Sequence, residues 1–200
     1  MPSAICGILK SPFDIIADKF RGYIGMTMDM HERPDEVMAA VEAMMPHMLA
    51  IAKASADPAR ILPVSIWMHR GCVPFINPQQ FDRYFWPTLK PIIEELWADG
   101  HQTLFYAEGK WHHHWDRFLE LPEGSIIMHC DRDDVFAAKK KFGGTAINPS
   151  KSPAHPMNTF LLDLRLLRQR IRGRRGSAGR ALGRASDAHL GGRGRGVLCV

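Results

Sequence analysis

Short apolar segments with the composition of β-strands alternate with helical segments along the middle of this chain. The strand-like segments are rich in β-branched and aromatic residues, and strands are predicted at 60–68, 102–109, 124–130 and 145–150. A segment with helical periodicity separates each from the next after a few residues. Because parallel neighbours in a sheet need a crossover, and helices supply it, this alternation predicts βα units and a parallel sheet.

Helical patterns also precede the first predicted strand. The segment 12–56 has apolar residues at 3-to-4 spacing and predicts two helices, the second of which begins at Pro34. Asn77 is a predicted N-cap of a further helix, which Gly100 ends and Pro87 kinks.

The predicted strands fit a barrel better than an open sheet. No Gly-rich phosphate fingerprint follows any of them, which disfavours a nucleotide-binding doubly wound sheet. A complete (β/α)8 TIM barrel takes about 250 residues, so residues 1–150 predict about half of one. Half a barrel leaves open strand edges and an exposed inner face. We therefore expect this chain alone to be inactive, and a homo-oligomer is an expected assembly.

The positive charge of the chain is confined to its last part. Up to residue 160 there are 16 Lys and Arg against 19 Asp and Glu, whereas 161–200 holds 10 Arg, no Lys and 2 Asp. Residues 151–200 are a basic low-complexity tail that is predicted to be disordered. One interpretation is an Arg/Gly-rich arm that binds RNA through its charge. The other, which the composition favours, is out-of-frame translation of a GC-rich gene, and nucleic acid is then not a partner.

The out-of-frame interpretation makes a prediction about the encoding DNA. Translation past Asn148 in the other reading frames should recover a further strand and helix pattern of the kind seen before that residue. Frames that contain no such pattern would contradict it.

The cysteines and apolar segments bear on cellular location. Cys6, Cys72, Cys130 and Cys199 include no C-x-x-C pair, which fits reduced thiols better than a disulfide framework. A helix that spans a membrane requires about 18 apolar residues, and no uninterrupted apolar run approaches that length. The first residues lack a basic leader and a continuous apolar stretch. We therefore expect a cytoplasmic protein that makes no membrane contact.

Polar residues lie at the ends of two neighbouring predicted strands. Side chains alternate along a strand, so Tyr106 and Glu108 share one face, as do His129 and Asp131. Active sites of (β/α) barrels lie at the carboxyl ends of the strands. These four side chains are therefore expected to converge. A carboxylate beside an imidazole and a phenol suits general acid–base catalysis, or contacts with anions and metals.

A purely structural interpretation of these residues stays open. Glu108 can cap the helix that begins near Trp111, while His129 and Asp131 can hydrogen-bond to the backbone around a turn.

Two other groups invite a metal-binding interpretation. Consecutive residues on a helix splay about 100° apart, so residues 112–114, three histidines, cannot all face one ion and are predicted to be solvated. His69 and Cys72 lie in a strand-exit loop without a matching pair at zinc spacing.

Four segments are specific as a set through their order and spacing. They are "PFDIIADKFRGYIGMTMDMHERPDEVMAAVEAMMPHM", "FINPQQFDRYFWPTLKPIIEEL", "LFYAEG" and "HCDRDDVFAAKKKFGG". Over roughly residues 11 to 147 they resemble the middle and later part of the uroporphyrinogen decarboxylase superfamily. That superfamily is a (β/α) barrel, and it houses uroporphyrinogen decarboxylases together with corrinoid-linked and cobalamin-independent methyltransferases.

The resemblance implies one of two reactions on tetrapyrroles. The first is decarboxylation of the acetate arms of uroporphyrinogen, which needs no cofactor because the protonated pyrrole is the electron sink. The second is methyl transfer to or from a corrinoid protein, with a corrinoid and zinc as cofactors. In either, Glu108 would anchor the strand mouth, with Tyr106, His129 and Asp131 around it as proton donors or acceptors.

This chain departs from the zinc methyltransferases of the family. Their strand ends His-x-Cys-Gly, where this chain has Tyr106-Ala107-Glu108-Gly109, so a carboxylate replaces the thiolate. The departure disfavours a thiol-activating zinc, so no metal site is predicted, although Glu108 and His129 are candidate ligands. The Arg and Asp residues that grip the substrate of the decarboxylases belong to strands absent here. A second class of function, an inactive binding module whose tail contacts RNA, stays open.

Overall fold

A single parallel sheet organises the computed structural model, which describes residues 5–142 and 146–147. Its strands lie side by side in chain order, and every neighbouring pair is parallel. They are β1 Cys6–Lys10, β2 Val64–Met68, β3 Thr103–Ala107, β4 Ile126–Cys130 and β5 Ala146–Ile147. The predicted α/β class with a parallel sheet is confirmed, and the sequential strand order is compatible with part of a barrel.

Helices form the crossovers between these strands. They are α1 Pro12–Ile15, α2 Tyr23–Glu32, α3 Pro34–Ser55, α4 Pro78–Gln80, α5 Trp86–Ala98, α6 Trp115–Phe118 and α7 Val135–Phe142. A π-helical segment, Ile16–Phe20, continues α1, and another, Phe81–Phe85, joins α4 to α5. A 3-10 turn, His112–His114, precedes α6.

The helices differ in detail from the sequence prediction. The segment 12–56 forms three helical stretches rather than two, because Gly22 takes a φ of +75° and interrupts the helix before α2. The predicted N-cap is present, since the Asn77 side chain accepts a hydrogen bond from the Gln80 N–H at 2.8 Å. Pro87 lies in the first turn of α5, directly after the π-helical segment, so the helical run continues through it.

Strand β1 was not predicted, whereas the four predicted strands are present in shortened form. Only residues 146–147 of the predicted last strand are described. The basic tail, 151–200, lies outside the described residues, as does Cys199.

The two faces of the sheet have different surroundings. One face packs on α3 and α5 and carries the buried apolar core. Its strand residues are Leu9, Val64, Ile66, Met68, Phe105, Ala107, Ile126, Met128 and Cys130. Full burial of one large apolar side chain contributes about 1.5–3 kcal/mol, so this face provides much of the stability of the sheet. The alternate residues point to the opposite face, where Ser65, Leu104 and Ile127 are buried as well.

Helix α3 is long and apolar enough to cross a membrane when judged by length and composition alone. It meets that test on average hydropathy, although charged residues interrupt its apolar runs. The indication is weak, because a core helix passes the same test. In this fold α3 buries Val37, Val41, Met48 and Ala52.

Gly71 provides a test of the packing between the loop after β2 and the helices. A Cβ atom there would lie 2.5 Å from Phe85 Cε2 and 2.7 Å from Trp111 Cη2, and both rings are buried. We expect Gly71→Ala to lower the free energy of unfolding by about 1–3 kcal/mol, because buried rings have little room to move. Urea unfolding followed by circular dichroism measures it.

Gly25→Ala is the matched control. Its Cβ would meet only the flexible Arg21 side chain, at 3.0 Å, within helix α2. It should raise stability by about 0.5–1 kcal/mol through helix propensity. Equal unfolding midpoints for Gly71→Ala and the wild-type protein would contradict the packing described above.

Candidate functional site at the carboxyl ends of the strands

The register of the sheet brings the ends of three strands to one level. Met68 pairs with Ala107 in β2 and β3, and Ala107 pairs with Cys130 in β4. The next residue of each strand therefore leaves the sheet at the same height. These residues are His69, Glu108 and Asp131.

An aromatic layer lies directly below this level, on the face of the sheet opposite the core. Trp67, Tyr106 and His129 are paired across the strands in register. The rings of Trp67 and Tyr106 stack with centroids 5.1 Å apart, and those of Tyr106 and His129 with centroids 4.7 Å apart. The structure thus brings Tyr106 and His129 together, as the alternation along the strands predicted.

Glu108 lies beside His69 at the level where the strands end. His69 Nε2 and Glu108 Oε2 are 3.1 Å apart, which is ion-pair distance without the alignment of a hydrogen bond. Half of the Glu108 side chain is exposed. The helix-cap interpretation of Glu108 is wrong, because the N–H of Trp111 is bound by Asp133 at 2.6 Å instead.

The other ring nitrogen of His69 faces a partly buried ion pair. Lys10 Nζ lies 2.8 Å from His69 Nδ1 and 2.6 Å from Asp18 Oδ2, while Asp18 Oδ2 is 3.3 Å from the same nitrogen. An ammonium group only donates, so Nδ1 of the neutral ring accepts from Lys10 and its proton sits on Nε2, towards Glu108. The ring is therefore held in one orientation and one tautomer.

Asp18 joins Lys10 to a second cation. Arg70 Nε donates to Asp18 Oδ1 at 2.8 Å. Burial alone would raise the pKa of Asp18, but the hydrogen bonds from Lys10 and Arg70 outweigh it and hold that pKa below its ordinary value. The Arg70 guanidinium also lies over the rings of Phe75 and Tyr23, at 4.8 and 5.3 Å from their centroids.

A cleft of about 450 Å³ opens between the loops that follow β2, β3 and β4. Its charged lining consists of three cations and two carboxylates, together with His69. The charged residues are Arg70, Lys110, Arg132, Glu108 and Asp131. Such a cleft offers cations to an anionic ligand and places Glu108 where it can exchange a proton with it.

Asp131 has a structural role within the cleft. Its Oδ2 accepts a hydrogen bond from the N–H of Gly109 at 3.0 Å. The carbonyl oxygen of Gly109 in turn accepts one from the N–H of Arg132. Asp131 therefore hydrogen-bonds to the backbone, but to that of the neighbouring loop after β3 and not around a turn of its own. Gly109 has a φ of +96°, and a Cβ there would lie 2.7 Å from the Cys72 sulfur, so this turn requires glycine.

Burial and neighbouring charge shift the proton affinities of the surrounding groups. Burial, followed by the charges of Glu108 and Asp131, raises the pKa of Tyr106. Burial lowers the pKa of His129 and raises that of the Cys72 thiol to about 11. At neutral pH the phenol and the thiol keep their protons, and His129 is neutral.

The histidine run differs from the prediction of a solvated segment. His114 is buried and stacks on Phe81 with ring centroids 3.8 Å apart, and burial lowers its pKa to about 4. His112 Nδ1 lies 2.8 Å from Asp133 Oδ1. Only His114 departs from the prediction, because its contact with Phe81 buries it, whereas His112 and His113 are exposed. Within the described residues, no group of three or more His, Cys, Asp or Glu side chains is placed to hold a metal ion.

Comparison of the chain with protein-family models and with curated proteins gives no match.

The sequence prediction missed several of the charged residues that surround His69. Strand β1 was not predicted, so Lys10 at its end and Asp14 and Asp18 after it were missed. Arg70 was missed because it lies in the loop after β2, where only His69 and Cys72 have the chemistry of metal ligands. One signal was available. The stretch "KSPFD", residues 10–14, combines an N-cap serine and a first-turn proline directly after an apolar segment, which is typical of a strand leading into a helix.

Asp133 provides a test of how the loop after β3 is held. Its buried carboxylate accepts the backbone N–H of both Trp111 and His112. We expect Asp133→Ala to destabilise the protein by about 1–3 kcal/mol for each buried N–H left without a partner. Thermal or urea unfolding measures the change.

Asp134→Ala is the neighbouring control. Asp134 accepts the N–H of Phe136 at the exposed start of α7, so its loss should cost only about 1 kcal/mol. Equal losses for the two variants would argue against a special role of Asp133.

Proposed function

We propose that this chain is part of a (β/α) TIM barrel of the uroporphyrinogen decarboxylase type, and that its cleft binds a carboxylate-bearing tetrapyrrole. Parallel strands in sequential order support the barrel. The position of the cleft at the carboxyl ends of the strands supports a binding site there.

The observation that carries the proposal is the double contact of His69. Its ring is held between Lys10 on one side and Glu108 on the other, at the wall of a cleft that also presents Lys110 and Arg132. A proton-transfer group beside the cations of the cleft fits a reaction in which an anionic substrate gains a proton.

The chemistry follows from these positions. Lys110 and Arg132 bind carboxylates of the substrate. When the bond between an acetate arm and its carboxylate breaks, carbon dioxide leaves and the electron pair passes into the protonated pyrrole. The carbon left behind then takes a proton from Glu108 in its acid form, and the pyrrole ring returns to solvent the proton that it took from solvent before the cleavage.

His69 can restore that proton without forming an anionic ring. A proton of Lys10 passes to Nδ1 while the proton on Nε2 passes to Glu108, so that the ring stays neutral throughout, and Lys10 then regains a proton from solvent. The contact between His69 and Glu108 must tighten for this transfer, as catalytic hydrogen bonds commonly do when substrate binds. Tyr106, which carries its proton, lies below Glu108 as a further donor.

Methyl transfer is the second reaction of the same family type. It would take a corrinoid partner protein, with a corrinoid and zinc as cofactors. Glu108 at the position of the zinc-bound thiolate favours decarboxylation instead. A cytoplasmic location and homo-oligomeric assembly stay predictions, as does RNA binding by the tail, which lies outside the described residues.

The double variant Lys110→Ala/Arg132→Ala tests the role of the cleft cations. We expect it to weaken binding of uroporphyrinogen about tenfold or more, because each charge-assisted hydrogen bond is worth about 1.5–3 kcal/mol and exposure reduces this. Quenching of tryptophan fluorescence under anaerobic conditions measures the affinity.

The control removes the same charge from outside the cleft. Lys139→Ala/Lys140→Ala alters two exposed cations of α7 and should leave the affinity unchanged. Glu108→Gln should also bind normally but lower any release of carbon dioxide by about 10²–10⁴-fold, whereas Glu123→Gln should not. The proposal fails if neither uroporphyrinogen nor a methyl-corrinoid binds, or if both double variants bind equally well.

A further inference from the structure

Asp14 is a fully buried carboxylate below the loop that carries His69. It belongs to helix α1 and is completely inaccessible to solvent. Its Oδ1 accepts the N–H of Arg70 at 2.6 Å, and its Oδ2 accepts the N–H of His69 at 3.2 Å and the hydroxyl of Ser11 at 2.9 Å. The carboxylate thus ties the start of α1 to the loop that follows β2.

The two residues held through their backbone carry cleft side chains. His69 contacts Glu108 and Lys10, and Arg70 contacts Asp18. Asp14 itself does not line the cleft. Its influence on the site therefore passes through the position of the loop.

We propose that Asp14 is a positioning residue whose carboxylate fixes the loop after β2, and that loss of its charge lets His69 and Arg70 leave their places at the cleft. The inference rests on the proposed function only for the chemistry assigned to His69. The position of the loop is a property of the fold.

The loop depends on the charge of Asp14 because ionisation decides whether each carboxyl oxygen accepts or donates a hydrogen bond. An ionised carboxylate only accepts, so both oxygens of Asp14 can bind N–H groups. Once one oxygen is protonated it becomes a donor, and the backbone N–H that it faced loses a good acceptor. Oδ2 already serves His69 and Ser11 together, so its protonation leaves the His69 N–H facing a hydroxyl oxygen, which is a weaker acceptor than a carboxylate oxygen.

The charge of Asp14 is poised to change under mildly acidic conditions. Burial raises its pKa to about 6, although the hydrogen bonds from Arg70, His69 and Ser11 act to lower it. The charged and titratable groups that interact with Asp14 are His69, Arg70 and Cys72, all in the loop after β2. The group that changes charge and the groups that respond are thus in direct contact.

Protonation of Asp14 should release the loop without unfolding the protein. Its pKa in the folded state, about 6, lies above the ordinary value of 3.8 expected for the unfolded chain. The folded state therefore binds this proton more tightly, so the contribution of Asp14 to stability is greatest below pH 3.8 and is lost as the pH rises through about 6. Acidification between these values loosens the loop but does not, through this group, favour unfolding.

Nuclear magnetic resonance of the ¹⁵N-labelled full chain tests the inference. We expect the backbone amide protons of His69 and Arg70 to shift together with a midpoint near pH 6 in the wild-type protein. Asp14→Asn should remove this shared midpoint. In His69→Gln, which has no imidazole at this position, the Arg70 amide should keep it, because the titrating group is Asp14.

Asp57→Asn is the matched control, since Asp57 also accepts several backbone N–H groups, those of Ala59, Ile61 and Leu62, on the exposed loop before β2. It should leave the His69 and Arg70 titration unchanged. The absence of a shared midpoint in the wild-type protein would overturn the inference, as would its persistence in Asp14→Asn or its loss in His69→Gln. If Asp14→Asn does not fold, the wild-type and His69→Gln titrations still decide the question.

The same titrations separate this inference from the proposed function. A shared midpoint in a protein that binds neither uroporphyrinogen nor a methyl-corrinoid would support Asp14 as a positioning residue and remove the assigned chemistry. Normal binding of uroporphyrinogen without a shared midpoint would support the proposed function and remove Asp14 as a positioning residue.

Discussion

In-register parallel pairing of β2, β3 and β4 is the constraint from which the rest of the structure follows. Each of these strands contributes alternate buried residues to the core, and a slip of one residue would turn the core set towards the opposite face. The apolar core therefore fixes the register, and the register fixes the height at which each chain leaves the sheet. Convergence of His69, Glu108 and Asp131 is a consequence of core packing as much as of their own interactions.

Two aspartates one helical turn apart show how local contacts divide the electrostatic roles. Asp14 is fully buried and Asp18 is partly buried, and both accept hydrogen bonds from the loop after β2. Asp14 receives mainly neutral N–H donors, so burial dominates and raises its pKa to about 6. Asp18 receives Lys10 and Arg70, whose hydrogen bonds and charges outweigh burial and lower its pKa. The helix thus presents one carboxyl that can change charge near neutrality beside one that stays ionised.

The sequence allowed the sheet and part of the site to be predicted, because β2, β3 and β4 have clear apolar patterns and side chains alternate along any strand. The meeting of Tyr106 with His129 followed from that alternation alone. Strand β1 escaped prediction because "CGILK" is short, contains Gly7 and ends in a lysine, and its Ile8 is exposed. With β1 missed, Lys10 and Asp18 could not be placed beside His69. The partner of Glu108 was also missed, because it depends on the register between β2 and β3, which the sequence does not display.

The order of the layers on the face of the sheet opposite the core explains why the group of His69, Glu108 and Lys10 suits proton transfer. Trp67, Tyr106 and His129 form a layer of stacked rings immediately below His69, Glu108 and Asp131. Rings at that position exclude water from the lower side of the charged groups, and interactions between charges strengthen as the local dielectric constant falls. The raised pKa of Tyr106, caused by burial and by the carboxylates above it, is the expected mark of such an environment. Replacement of these rings by small polar residues would admit water and weaken the coupling between Lys10, His69 and Glu108, and His69 would also lose its ring contact with Trp67, at a centroid distance of 6.4 Å.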